Sequence, residues 1–160
     1  MCRSAKQFFI IVSLLWITFS AGAQKISLLK LDQLETRLNA GKDTTYIINF
    51  WATWCVPCIK ELPNFEKLNK QYKNEKLKIL LVSVDFKSQL NSSVQPFVNK
   101  RKLKNEVFLL DEQDQQEYIN RIDPGWSGAI PASLFIRSSK RKFLEKELSY
   151  SELLNEYQTL

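Results

Sequence analysis

The chain has 160 residues, 44% of them apolar and 25% charged, which is the balance of a folded domain and argues against a disordered or fibrous protein. Its 23 basic and 17 acidic residues give a net charge of +6. The excess is spread widely, and basic stretches such as Lys100–Lys104 and Lys140–Lys142 read as solvated surface, so nucleic acid is not an expected partner.

Arg3 and Lys6 precede an uncharged apolar run from Phe8 to Phe19, which ends in the small residues Ser20, Ala21, Gly22 and Ala23. That is the layout of a secretory signal peptide. About a dozen apolar positions fall short of the roughly 20 that span a bilayer, so residues 1–23 are expected to be removed and residues 24–160 to form one domain. An uncleaved anchor is the alternative. A lipoprotein signal would need a cysteine after the small residues, where Gln24 and Lys25 stand, and Cys2 leaves with the leader.

In the mature part, Leu31, Leu34 and Leu38 have helical spacing, with Gly41 suited to end a helix over 31–39. Thr45–Trp51 is β-branched, aromatic and nearly continuous in apolarity, which predicts a buried central strand. Ile59, Leu62, Phe65 and Leu68 mark the apolar face of a helix reaching about Tyr72, with Pro63 expected to kink it. Leu77–Val84 predicts a second buried parallel strand, and Ser92–Arg101 a helix with Pro96 in its first turn. Val107–Leu110 reads as a short strand, Glu112–Arg121 as a polar helix, and Pro124–Gly128 as a loop leading to Ile130 and Pro131. Ser133–Ile136 and Lys142–Glu147 read as a terminal strand pair, and Ser151–Tyr157 as a closing helix capped by Ser151. Strands alternating with helices, ending in a hairpin, define an α/β class with a mixed sheet.

Only Cys55 and Cys58 remain beyond the leader. A disulfide enclosing two residues constrains the unfolded chain very little, so the pair points to redox chemistry more than to stapling. A closed zinc site wants about four ligands, and the chain has no histidine and no second cysteine pair. The pair sits where a strand runs into a helix, and the amides at a helix N-terminus favour an anion, here the Cys55 thiolate.

Asn49-Phe50-Trp51-Ala52-Thr53-Trp54-Cys55-Val56-Pro57-Cys58, with Pro63 beyond, resembles the active-site signature of the thioredoxin superfamily, within it the exported TlpA and ResA-like branch. Gly128-Ala129-Ile130-Pro131 resembles the loop that carries a cis-proline against the cysteines. The resemblance implies a thioredoxin-like fold, with a central mixed sheet flanked by helices. It also implies catalysis by Cys55 and Cys58, with Cys55 attacking a disulfide and Cys58 resolving the mixed disulfide. Trp54, Ile130 and Pro131 would contact substrate. Asn49 stands where cytoplasmic thioredoxins carry a buried aspartate, and Asp85, at the end of the second strand, is the candidate acid/base group, with a capping carboxylate as the alternative. Trp51 and Pro63 read as structural, whereas Trp126 fits either substrate contact or cover for the sheet edge.

Family analogy implies a reductase in the periplasm or on the outer face of the cell membrane, with a role in cytochrome c maturation. Its partners would be cysteine-containing substrate proteins and a membrane thiol electron donor, and no nucleotide, haem or flavin cofactor is expected. A protein disulfide oxidase is the alternative direction, and a binding or chaperone module with little turnover the alternative class. Copper delivery needs Met or imidazole ligands beside the thiolates, and the only methionine is Met1.

Overall fold

The computed structural model describes residues 24–160; the expected leader, its cleavage site and Cys2 lie outside them. Six strands, β1 (Ser27–Leu29), β2 (Thr45–Trp51), β3 (Leu77–Ser83), β4 (Glu106–Leu110), β5 (Ala132–Arg137) and β6 (Lys140–Leu144), form one sheet in the order β1-β4-β3-β2-β5-β6. The first four run parallel to one another, β5 runs antiparallel to β2, and β6 runs antiparallel to β5, so the sheet is mixed. Five α-helices cover it: α1 (Leu31–Ala40), α2 (Val56–Gln71), α3 (Gln95–Arg101), α4 (Gln115–Ile122) and α5 (Tyr150–Thr159).

Every residue of β2 is buried, because the strand is central and covered on both faces. Its side chains divide by parity, as a period of two requires. Ile47 and Trp51 pack with Leu62, Phe65, Val98, Leu153 and Tyr157 of α2, α3 and α5. Tyr46, Ile48 and Phe50 pack with Leu31, Leu34, Ile119 and Ile122 of α1 and α4. Two hydrophobic layers thus grip the sheet. Trp51 is fully buried against Phe97, as expected for a core residue. Helix α2 runs unbroken through Pro63.

Five local expectations change, among them the start of α4, which lies at Gln115 with Asp114 as N-cap and not at Glu112. Strand β1 is an added edge, three residues long, paired with β4. The helix expected from Ser92 begins only at Gln95, preceded by a 3-10 turn over Lys87–Gln89 and one π turn over Leu90–Val94. Strand β6 starts at Lys140 and ends at Leu144, because Arg137 pairs with Lys140 across a tight Ser138–Ser139 turn with Ser138 at φ 54°. The Glu145 carboxylate, beyond the strand, accepts a bond from the Ser127 N–H at 3.0 Å.

Helix α5 is capped by Ser149, not Ser151. The Glu152 N–H donates to Ser149 Oγ at 3.3 Å, and the Ser149 N–H donates to Glu152 Oε2 at 2.9 Å, a reciprocal capping box that a Ser151 cap would lack. Ser149→Ala is therefore expected to lower the free energy of unfolding by about 1 kcal/mol, and Ser151→Ala by less than half of that. Urea denaturation of the two variants checks the order.

Candidate active site

The chain leaves β2 at Trp51, turns over Ala52–Trp54 and enters α2 with Cys55 as N-cap. Pro57 occupies the first turn of α2, where its missing N–H costs no helical bond. Cys55 and Cys58 are joined by a disulfide, with their Cα atoms 5.3 Å apart. The Cys58 N–H donates to Cys55 Sγ at 3.3 Å, so the first turn of α2 aims an amide at the sulfur expected to attack. Cys58 is fully buried and Cys55 nearly so.

The Ile130–Pro131 peptide is cis, and Cys55 Sγ lies 3.7 Å from the Ile130 carbonyl oxygen. The loop that delivers this peptide is fixed from beneath. Trp126 is buried against Phe50 and Phe143, and its indole N–H donates to the Ala129 carbonyl at 2.8 Å. The open question about Trp126 therefore has a structural answer: it covers the sheet and anchors the loop, with part of its ring also walling the groove beside Cys55. Gly128 has φ +91°, a backbone conformation that strains any residue with a Cβ, so this turn favours glycine.

Asp85 is buried at the end of β3, and its carboxylate is fully engaged. Oδ1 accepts from Thr53 Oγ1 at 2.6 Å, while Oδ2 accepts from the Thr53 N–H at 2.9 Å and from Ser83 Oγ at 2.7 Å. These bonds tie the loop after β3 to the turn that carries the cysteines.

The sequence reading passed over Glu61. This residue lies three positions beyond Cys58 on α2, with no solvent exposure. Its Oε1 accepts from Asn49 Nδ2 at 2.7 Å and its Oε2 from the Leu148 N–H at 2.7 Å. Asn49 Nδ2 also reaches Ser133 Oγ at 3.0 Å, which joins β2, β5 and α2 in one buried network. Burial raises the Glu61 carboxyl to about 7, against the opposing pull of the bonds from Leu148 and Asn49. A signal was present in the sequence. Cys58, Glu61, Leu62 and Phe65 follow the i, i+3, i+4, i+7 spacing of the buried stripe, so an acid sits where the helix pattern demands an apolar residue.

Trp54 is exposed beside the cysteines, Ile130 is half-buried, and Pro131 is buried. The structure thus brings Cys55, Cys58, Trp54, Ile130, Pro131 and Asp85 to one end of the sheet, beyond the C-terminal ends of β2 and β3, where open α/β sheets place their sites.

A vicinal cysteine pair at a helix N-terminus, facing a cis-proline across a mixed sheet, defines a thioredoxin-like protein. The chain belongs to the AhpC/TSA family, whose model matches residues 20–141. It is 40% identical over 73 residues to the thioredoxin-like protein YneN of Bacillus subtilis, an alignment covering 46% of this chain and 41% of the relative. It is 35% identical over 81 residues to the thiol-disulfide oxidoreductase ResA of Geobacillus kaustophilus, covering 51% of this chain and 44% of that one. The chain thus spans less than half the length of these relatives. Among solved structures it is similar in fold to a thiol:disulfide interchange protein of Chlorobium tepidum, with TM-score 0.62 and 22% identity over 76% of this chain and 83% of that one. StoA of Bacillus subtilis superposes with TM-score 0.55 and 24% identity, over 73% and 84% of the two chains.

The raised Glu61 carboxyl links stability to pH. Between the ordinary carboxyl value of 4.5 and about 7 the folded state holds a proton that the unfolded state releases. Stability therefore falls as pH rises through that window, by about 3 kcal/mol in total, and levels off above it. Denaturation of the oxidised protein at pH 5 and pH 8 should show this decline. Glu61→Gln, which carries no titrating group, should flatten it.

Proposed function

We propose that the protein is an exported thiol-disulfide oxidoreductase that works as a reductase of protein disulfides. The observation that carries this reading is the Cys55–Cys58 pair at the start of α2, with Cys55 Sγ against the carbonyl of the cis Ile130–Pro131 peptide. In the reduced protein the Cys55 thiolate attacks one sulfur of a client disulfide. A new S–S bond forms, the client bond breaks, and the departing client thiolate takes up a proton. Cys58 then loses its proton and attacks Cys55 Sγ, releasing the second client thiol and leaving the Cys55–Cys58 disulfide. Two electrons pass to the client, and a thiol donor must restore the dithiol. Run in reverse, the same steps oxidise a client.

Trp54 shields the sulfur pair, and the backbone at Ile130 and Pro131 holds the client segment in an extended form. Glu61 is the group suited to take the Cys58 proton. It lies on the same helical face, shielded from water, and its carboxyl titrates at about 7, near the pH of work. Asp85 is the other acid at the site; its three accepted hydrogen bonds suit it to hold the turn at Thr53. Removal of residues 1–23, a location in the periplasm or on the outer face of the membrane, a membrane thiol donor and service to cytochrome c maturation complete the reading. They rest on the leader pattern and on the resemblance to TlpA and ResA-like proteins. Relatives named as thiol-disulfide oxidoreductases support the reaction class.

Equilibration with glutathione or dithiothreitol buffers tests the direction. A reductase is expected to show a potential near about −270 mV, whereas a value near about −120 mV would make the protein an oxidant. A Cys58→Ser variant should accumulate a mixed disulfide with client protein through Cys55, and Cys55→Ser should form none. If wild-type protein shows no reversible couple at all, the oxidoreductase reading is wrong. Glu61→Gln should alter the pH dependence of mixed-disulfide resolution around pH 7, and Asp85→Asn should leave that dependence in place.

A further inference from the structure

Among the described residues, the large apolar side chains left exposed are Trp54, Val56 and Phe86, at 63%, 74% and 78%. Two of them belong to the cysteine segment itself. Phe86 comes from a different part of the chain, and neither the reaction nor the core accounts for it. It lies on the wall of a groove of about 600 Å³ beside the cysteine turn, which Trp54, Val84, Tyr118, Trp126 and Ile130 also line.

The backbone that presents Phe86 is tightly held. The Asp85 carboxylate fastens the preceding residue to Thr53 and Ser83. On the other side the Phe86 N–H donates to Gln89 Oε1 at 3.0 Å, and the Gln89 N–H donates to the Phe86 carbonyl at 2.8 Å. An exposed aromatic on a fixed backbone loses little conformational freedom when a partner covers it, which is the property of a preorganised contact. The groove lies next to the reacting atoms, because two of its walls adjoin Cys55: Trp54 precedes it in the chain, and the Ile130 carbonyl stands 3.7 Å from Cys55 Sγ. A polypeptide whose sulfur meets Cys55 must lay its neighbouring side chains along it.

We propose that Phe86 is a specificity-determining contact: with Trp54 and Trp126 it takes a large apolar side chain next to the client's reactive cysteine. The preferred clients are then polypeptide disulfides with an apolar residue beside the cysteine, in extended segments, in preference to small-molecule disulfides. This deepens the oxidoreductase reading and rests on it.

The test uses the reduced protein in rapid-mixing kinetics against three disulfides. Two are peptides that differ only in Leu or Ser beside the cysteine, and the third is bis(2-hydroxyethyl) disulfide. The wild type is expected to reduce the Leu peptide about tenfold faster than the Ser peptide. Phe86→Ser should reduce that preference to within about twofold, and Phe86→Leu should keep most of it. A preference that survives Phe86→Ser, or is absent from a wild type that still reduces the small disulfide, overturns the assignment of Phe86 alone. A wild type that reduces none of the three overturns the oxidoreductase reading, and this inference with it. Sedimentation of the same proteins covers a second occupant. A dimer that Phe86→Ser abolishes would assign the face to self-association and overturn the client assignment.

Discussion

The Glu61 carboxylate has no contact with solvent, yet each of its oxygens is held by an element outside its own helix. One bond reaches Asn49 in the middle of the central strand, and the other the backbone N–H of Leu148, just before α5. Asn64, one turn further along α2, donates to the carbonyl of the same Leu148 at 2.9 Å. Together these contacts set the rotation and height of α2 against β2 and fasten the last helix to both. Removing the carboxylate would leave buried donors unpaired, at a cost of about 1–3 kcal/mol for each. Because Cys58 lies one turn before Glu61, the position of the buried sulfur follows from the same contacts. The carboxyl raised to about 7 is thus a consequence of where the fold holds Glu61, one turn beyond the buried sulfur.

Thiol-disulfide exchange requires an attacking sulfur, an attacked sulfur and a leaving sulfur to align, which places strict demands on the surrounding loops. Three segments meet beside the cysteine pair, and side-chain hydrogen bonds fix each of them. The cysteine turn is bound through Thr53 to Asp85, the loop after β3 is held by Asp85 and by the Gln89 bonds, and the cis-proline loop rests on the Trp126 indole and on the positive φ of Gly128. The site is built from loops, and side chains of those same loops, with Ser83 at the end of β3, satisfy their polar groups. That arrangement gives loop residues a precision close to that of a strand or helix.

Much of this was legible in the sequence wherever burial is two-sided or periodicity long. β2, α2 and β3 have continuous or strongly periodic apolar patterns, and the chemistry of the cysteine pair follows from its position between the first two of them. Elements at the rim left weaker marks. β6 is an edge strand whose Lys and Arg side chains are exposed, so nothing in its composition separates it from the turn before it. β1 is three residues long, too short for any period, and it exists because β4 offers a free parallel edge. The π turn before α3 shifts a helix start without altering its apolar positions. Glu61 was missed because a glutamate on a helix is ordinarily solvated; only its alignment with Cys58, Leu62 and Phe65 marked it as buried. Asp85 was visible as an acid near the site, while its bonds to Thr53, 32 positions away, depend on the β2–β3 pairing.

The acids around the groove are engaged within the chain. Asp111, on the groove wall, is paired with Lys87 at 2.9 Å and with Lys30 at 3.6 Å, and the nearby lysines hold its carboxyl below the ordinary range. Glu112 Oε1 accepts from the Leu31 N–H at 2.7 Å, and both Asp85 oxygens are occupied. Exposed pairs of this kind are worth little and are screened within a Debye length of about 8 Å at physiological salt. With these acids engaged, the surface that the groove leaves for a client is mixed, and its apolar part includes the walls at Trp54, Phe86 and Trp126. The proposed contact through Phe86 therefore draws on apolar burial, while the geometry at the sulfur atoms is held by the hydrogen bonds of the surrounding loops.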